Sequence, residues 1–178
     1  MMTIEKCTLG GGCFWCLDPL FRRVKGVESV FCGYANGTVV DPTYEQVCTG
    51  STGHAEVVQI TYDSKIVSFE KLLEVFFSVH NPTTLNRQEA DVGTQYRSAI
   101  LFHNEGQERR ANAVIEGLTQ NMTSENLIVT EVAPLDVFYK AEVYHQDYFL
   151  NNPGNGYCQM VVEPKLSKFL DSYSDLIT

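Results

Sequence analysis

Three consecutive glycines, Gly10-Gly11-Gly12, followed at once by Cys13-Phe14-Trp15-Cys16, constrain this chain more than any other stretch. Residues 4–9 read as a short strand running into the glycine turn, and a helix is expected to follow. A glycine run lets the backbone take positive φ and bring main-chain N–H groups close to a ligand. A cysteine placed where that helix begins would have its thiolate favoured by unpaired N–H groups and the helix dipole. Phe14 and Trp15, the latter the only tryptophan, could wall off an apolar pocket beside it. The stretch reads as a nucleophile, Cys13, at the floor of a small-molecule site.

The remaining pattern supplies a scaffold for such a site. The first helix is expected to stop near Lys25-Gly26, and Pro19 implies either a kink or a second start capped by Asp18. Residues 27–35 read as a strand closed by an Asn36-Gly37 turn, and 41–53 as a polar loop or a single helical turn. Residues 54–63 alternate, with Glu56, Val58, Ile60 and Tyr62 on the more hydrophobic face. A carboxyl there is either wet at the strand end or buried with a raised pKa. Ser68 caps a helix carrying Phe69, Leu72, Leu73, Phe76 and Val79 on one stripe, and a long polar stretch, 80–96, follows. Strands are expected at 98–103, 127–133 and 137–139. Between the first two of these, Asn104 and Gln107 cap a helix with Ala111, Val114, Ile115, Leu118 and Met122 on one side. From Tyr144 the chain turns aromatic, then irregular through Cys158, and Pro164 can open a last helix. Strands alternating with helices in 178 residues imply one α+β domain.

Charge and cysteine usage narrow the function classes. A net charge of −9, with no basic cluster longer than Arg22-Arg23 or Arg109-Arg110, argues against nucleic-acid and membrane partners. The N-terminus has no apolar signal-like core and no run approaches a membrane span, so a cytoplasmic location is expected. Six cysteines in such a chain are expected to be free thiols, metal ligands or catalytic groups. Cys13 and Cys16 have a ligand-like spacing, but no second such pair follows and His54, His80, His103 and His145 are scattered, so no metal is expected. Cys7, Cys32 and Cys48 lie in or beside strand-like segments and read as packing residues. Cys158 lies in a Gly/Asn-rich tail that should let it swing toward a distant sulfur.

The chain resembles the A-type peptide methionine sulfoxide reductases along most of its length. Gly12-Cys13-Phe14-Trp15-Cys16 is similar to that family's active-site motif. So are Gly33 to Gly37, Pro42-Thr43-Tyr44, Thr52 to Glu56, Asp91 to Ser98, and the tail from Asn152-Pro153 to Gly156-Tyr157-Cys158. The resemblance implies a two-layer α+β sandwich with a ferredoxin-like βαββαβ core and a long irregular C-terminal segment, about residues 144–164, carrying a recycling cysteine. It implies reduction of methionine (S)-sulfoxide, free or in proteins, by a monomer without cofactor. Cys13 would be the nucleophile and Glu56 the general acid. Tyr44, Tyr96 and Asp91 would assist, and Phe14 and Trp15 would hold the S-methyl group. A sulfenic acid on Cys13 would pass to a disulfide reduced by thioredoxin. Position 16 is commonly Gly in the family and some members carry two tail cysteines, which leaves the resolving thiol open between Cys158, whose Gly156-Tyr157-Cys158 context resembles the family's and whose segment should be flexible, and Cys16 as alternative or relay.

Two rival readings differ in kind. A thioredoxin-like exchanger would use Cys13 and Cys16 on protein disulfides, but has no use for Glu56, Tyr44 and Tyr96. A binding module would use only the aromatic pocket. A Cys–His hydrolase lacks an obvious partner, His54 being the nearest in sequence.

Overall fold

A computed structural model describes residues 1–123 and 125–178. Strand β1 (Ile4–Gly10) leads through the glycine turn into helix α1 (Phe14–Phe21), strand β2 (Val27–Ala35), the short helix α2 (Tyr44–Cys48) and strand β3 (Ala55–Asp63). Helix α3 (Phe69–Val79) follows, then a hairpin of β4 (Arg87–Gln88) and β5 (Asp91–Val92), strand β6 (Ala99–Phe102) and helix α4 (Glu105–Thr119). Strands β7 (Glu131–Pro134) and β8 (Phe138–Lys140) and helices α5 (Tyr148–Asn151) and α6 (Glu163–Ser172) complete the chain. The main sheet runs β7-β6-β1-β3-β2-β8. All pairs are antiparallel except β6 with β7. Its centre, β6-β1-β3-β2 with α1 and α3 as crossovers, is the expected ferredoxin-like βαββαβ unit. β7 and β8 extend it at the two edges.

The alternation of β3 decides what lies on each face of the sheet. Val58, Ile60 and Tyr62 enter the larger core beneath the helices, with Leu17, Leu20, Phe21, Leu72, Phe76 and Phe169. Ala55 and Val57 face the other way, into a small cluster with Ala35, Ala99 and Leu101 that Phe138 and Leu135 cover. Period-two patterning thus fixes the register, since a one-residue slip would exchange the two sets.

Local caps set the helix starts. The Ser68 hydroxyl accepts the Lys71 N–H at 3.1 Å, and Asn104 Oδ1 accepts the Gln107 N–H at 2.9 Å. Buried Gln107 also accepts the His103 N–H at 2.9 Å and donates to the Lys6 carbonyl at 2.7 Å, tying α4 to β1. Thr43 and Gln46 form a reciprocal capping box at the start of α2.

Several elements differ from the sequence expectation. Helix α1 runs unbroken through Pro19 and ends at Phe21, with the chain turning at Gly26, where φ is +88°. Asp18 is not a cap: its buried carboxylate accepts from Arg22 Nε at 2.8 Å and from the Asp147 N–H at 3.0 Å, anchoring the tail. The stretch 80–96 is built rather than loose. Buried Gln88 clamps it by accepting the Asn81 N–H at 2.8 Å and donating to the Asn81 carbonyl at 2.9 Å. The strand expected at 127–133 begins only at Glu131, and Leu127 is exposed. The tail, expected to be irregular through Cys158, holds a helical turn at Val143–His145 and α5, then a π-helical turn, Cys158–Val162, continuous with α6, where Pro164 lies in the first turn as expected. Among the described residues no helix is long and apolar enough to cross a membrane.

Gly33 shows how tightly the β2 edge is closed. A Cβ there would overlap the Phe138 ring and lie 2.6 Å from the Tyr139 carbonyl. Gly33→Ala is therefore expected to push β8 off the sheet and cost about 1–3 kcal/mol of stability, read by chemical denaturation. An unchanged midpoint would show that β8 yields freely.

Candidate active site

The site grows from the end of β1. Gly12 has φ +88°, and a Cβ on it would meet Gln88 Cγ at 2.8 Å, so only glycine fits between β1 and the clamped 80–96 stretch. The turn delivers Cys13 to the N-cap of α1, 9% exposed. Cys16 lies one turn on, its N–H donating to the Cys13 carbonyl at 3.0 Å.

Glu56 comes from the second residue of β3, on the helix-facing side with Val58 and Ile60. It is 1% exposed, and its Oε1 has no hydrogen-bond partner. The first N–H groups of α1 act on both groups, that of Phe14 favouring the ionised Glu56 carboxyl and that of Trp15 the Cys13 thiolate. Burial pushes the Glu56 pKa well above the carboxylate range, and nearby Asp91 adds to the shift. Glu56 is thus a neutral acid with a proton to give. Of the two sequence alternatives for this carboxyl, the structure selects the buried one.

Cys13 does not behave as its place at a helix start suggests. Burial raises its pKa first, then the proximity of Glu56, Cys16 and Asp91, with only the Trp15 N–H pulling the other way. A helix terminus contributes about 0.3–1 kcal/mol. Full burial can shift a pKa by about 3–5 units, or about 4–7 kcal/mol. Burial wins, so the resting group is a thiol.

Tyr44, at the first position of α2, and Tyr96, in the short turn Thr94–Tyr96, are half-buried. Burial raises both phenols, helped by the Cys48 thiol for Tyr44 and by Glu56 and Cys13 for Tyr96, so both remain O–H donors. Cys48 is exposed beside Tyr44 rather than packed in the core, whereas Cys7 and Cys32 are buried as expected.

Three tail residues that the sequence did not single out complete the arrangement. The Tyr157 hydroxyl donates to Asp91 Oδ2 at 2.7 Å and lies 3.7 Å from Cys16 Sγ. Tyr148 stacks on Trp15 with ring centres 3.7 Å apart and 3° between planes. The Trp15 indole N–H donates to His145 Nδ1 at 3.1 Å. The aromatic run after Tyr144 was the available signal. Phe14 is wholly buried against Tyr34 and His145, leaving half-buried Trp15 as the more accessible of the two aromatics.

Other residues fall outside this cluster. His54 Nδ1 accepts the Gly37 N–H at 2.9 Å and its Nε2 meets the Val39 carbonyl at 2.7 Å, so it holds the 36–54 loop and is no partner for Cys13. Cys158 is not displayed on a mobile loop. It is 0% exposed and belongs to the core with Val162 and Leu166, one residue beyond Tyr157. A groove of about 470 Å³ between the end of α3 and α6, lined by His80, Lys165 and Lys168, lies apart from Cys13 and Glu56. Lys165 nonetheless favours the Cys16 thiolate, though burial keeps that pKa up, at about 11.

A buried thiol beside a protonated carboxyl and two phenol donors, on a ferredoxin-like sheet, is the arrangement of a thiol enzyme and can couple sulfur attack to proton donation. The family model described as peptide methionine sulfoxide reductase matches residues 5–176. A protein of Saccharolobus solfataricus named peptide methionine sulfoxide reductase MsrA is 52% identical over 174 residues, covering 98% of this chain and 97% of that one. The structure of Mxr1 from Saccharomyces cerevisiae in reduced form superposes with a TM-score of 0.79 at 34% identity, covering 87% of this chain and 89% of that one. Mxr1 in complex with Trx2 gives a TM-score of 0.56 at 25% identity, covering 82% and 84%. The chain belongs to the peptide methionine sulfoxide reductase family, and is an oxidoreductase.

Glu56 leaves a signature in stability. Its folded pKa lies above the ordinary 4.5, so the folded state holds the proton more tightly and stability falls as pH rises from about 4.5 toward the folded value. Glu56→Gln is expected to remove this decline, up to about 1.4 kcal/mol per pH unit. Denaturant titrations across that range check it; parallel slopes in both proteins would mean that Glu56 ionises freely.

Proposed function

We propose that this protein reduces methionine (S)-sulfoxide to methionine, the observation carrying the proposal being the unpartnered, protonated oxygen of Glu56 beside Cys13. A sulfoxide sulfur becomes electrophilic when its oxygen is protonated or strongly hydrogen-bonded. Glu56 is the general acid, and Tyr44 and Tyr96 donate to the same oxygen. Cys13 attacks the sulfur, and its thiol proton replaces the one that Glu56 gives to the sulfoxide oxygen. The oxygen takes a proton and passes to Cys13, giving methionine and a sulfenic acid. Trp15, with Phe14 behind it, encloses the S-methyl group. Asp91 sets the polar side of the pocket through Tyr157.

A second thiol then displaces water from the sulfenic acid to form a disulfide. Cys158 is the proposed resolving thiol. The neighbouring Tyr157 seats the tail on Asp91 beside Cys16, and Cys158 reaches Cys13 when the turn Cys158–Val162 unwinds from the core. Cys16, one helical turn from Cys13, is the alternative or relay. Thioredoxin is the proposed reductant, as the yeast relative seen with Trx2 suggests. The protein is proposed to act as a cytoplasmic monomer, a single domain, on oxidised proteins or free methionine sulfoxide.

The test is anaerobic addition of one equivalent of methionine (S)-sulfoxide to the fully reduced protein, followed by intact mass and peptide mapping. The expected result is one equivalent of methionine and the loss of two hydrogens, with a Cys13–Cys158 bridge. A Cys13–Cys16 bridge would move resolution into the first turn of α1, and no methionine would overturn the reductase reading. Glu56→Gln is expected to lower kcat about 10²–10⁴-fold. Activity should fall on the alkaline side as Glu56 gives up its proton, which a pH–rate profile checks.

A further inference from the structure

His145 is wholly buried in a cage of aromatic rings, its centre 5.0 Å from Phe14, 4.5 Å from Tyr44 and 4.1 Å from Tyr144. An indole nitrogen can only donate, so the bond from Trp15 Nε1 requires a bare Nδ1 and leaves the ring proton on Nε2. That Nε2 has no hydrogen-bond partner among the described residues. The imidazole is therefore buried with one polar bond, and that bond goes to Trp15. A buried nitrogen left unpaired is unfavourable, and an aromatic hydrocarbon would fill the same cage without that penalty. What the imidazole supplies and a phenyl ring cannot is the acceptor for the indole.

The surroundings favour this neutral form. From its own turn the Glu142 carboxylate faces His145, but that carboxylate is occupied by the Tyr34 and Tyr144 hydroxyls and the Tyr44 N–H. Tyr44 from α2 and Phe14 and Trp15 from α1 bring no charge, and Tyr144 is a neutral phenol. Burial lowers the His145 pKa from its ordinary 6.5, with Glu142 opposing.

We propose that His145 is a positioning residue for substrate fit: its bare Nδ1 locks the Trp15 indole flat against Tyr148, so that one wall of the S-methyl pocket is held by the C-terminal segment and is released when His145 takes a proton. The part concerning fit rests on the reading of Trp15 as a substrate wall. The part concerning the lock does not.

Because Trp15 is the only tryptophan, its fluorescence reports the lock without reference to activity. Emission of the reduced protein is expected to fall on acidification with a midpoint below 6.5, a protonated imidazole being a quencher of a neighbouring indole. In His145→Asn the side-chain oxygen takes the Nδ1 place, so the titration should vanish while KM stays within about twofold, one hydrogen bond being kept. In His145→Phe the acceptor is lost. The emission maximum should shift, and KM for methionine sulfoxide should rise about five- to tenfold with kcat little changed. A titration that persists in His145→Asn, or an emission maximum unmoved in His145→Phe, overturns the lock. Emission that behaves as expected while KM in His145→Phe stays at the wild-type value overturns the role in fit and the reading of Trp15 as a substrate wall, and leaves the lock standing.

Discussion

A carboxyl group sealed into the apolar side of a β-sheet is the constraint around which the rest of this structure is arranged. Glu56 sits on the same face as Val58 and Ile60, and one of its oxygens has no partner. Burying an unpaired polar group costs about 1–3 kcal/mol, and burying it ionised costs far more, so the group stays protonated. Two features hold it in place. The β2–β3 register sets Glu56 opposite Tyr34, and the start of α1 brings the Phe14 N–H toward the carboxyl. The Gly10–Gly12 turn brings α1 close enough to do this. The same turn sets Cys13 beside Glu56, so the buried thiol and the protonated carboxyl are placed by one piece of backbone. Stability is given up where chemistry needs a proton held out of water.

Much of the scaffold was legible in the sequence because it rests on local pattern. Alternation over 54–63 placed Glu56 on the core side, and Ser68 and Asn104 marked the starts of α3 and α4 through caps that span only three residues. The two-residue strands of the 80–96 hairpin have no readable period, and the order there comes from Gln88 reaching back to Asn81. Pro19 was ambiguous because its effect depends on what Asp18 does. Asp18 turned out to bind Arg22 and the backbone of Asp147, a partner far along the chain.

The site shows the same division. Cys13 and Glu56 were placed together by motif and by strand parity. The contacts from the tail were not, since no local rule connects Tyr157 to Asp91 or Trp15 to His145. The expected mobility of Cys158 followed from the glycines and asparagines before it, but the side chain itself belongs to the helix that follows and packs with Val162 and Leu166. The expected activation of Cys13 by the helix start failed for a reason of magnitude. Burial, with carboxyls nearby, outweighs the pull of the Trp15 N–H on the Cys13 sulfur.

The bond between Trp15 and His145 joins positions 130 residues apart, and the one between Asp18 and Asp147 a further pair nearly as distant. During synthesis the glycine turn, α1 and strands β1 to β3 emerge well before the segment that covers them. A nascent chain therefore carries Trp15 without its His145 and Tyr148 partners until those residues have left the ribosome. Translation that stops short of Asp147 leaves Trp15 and Asp18 without these partners, so the first helix is sealed only when the C-terminal segment closes over it.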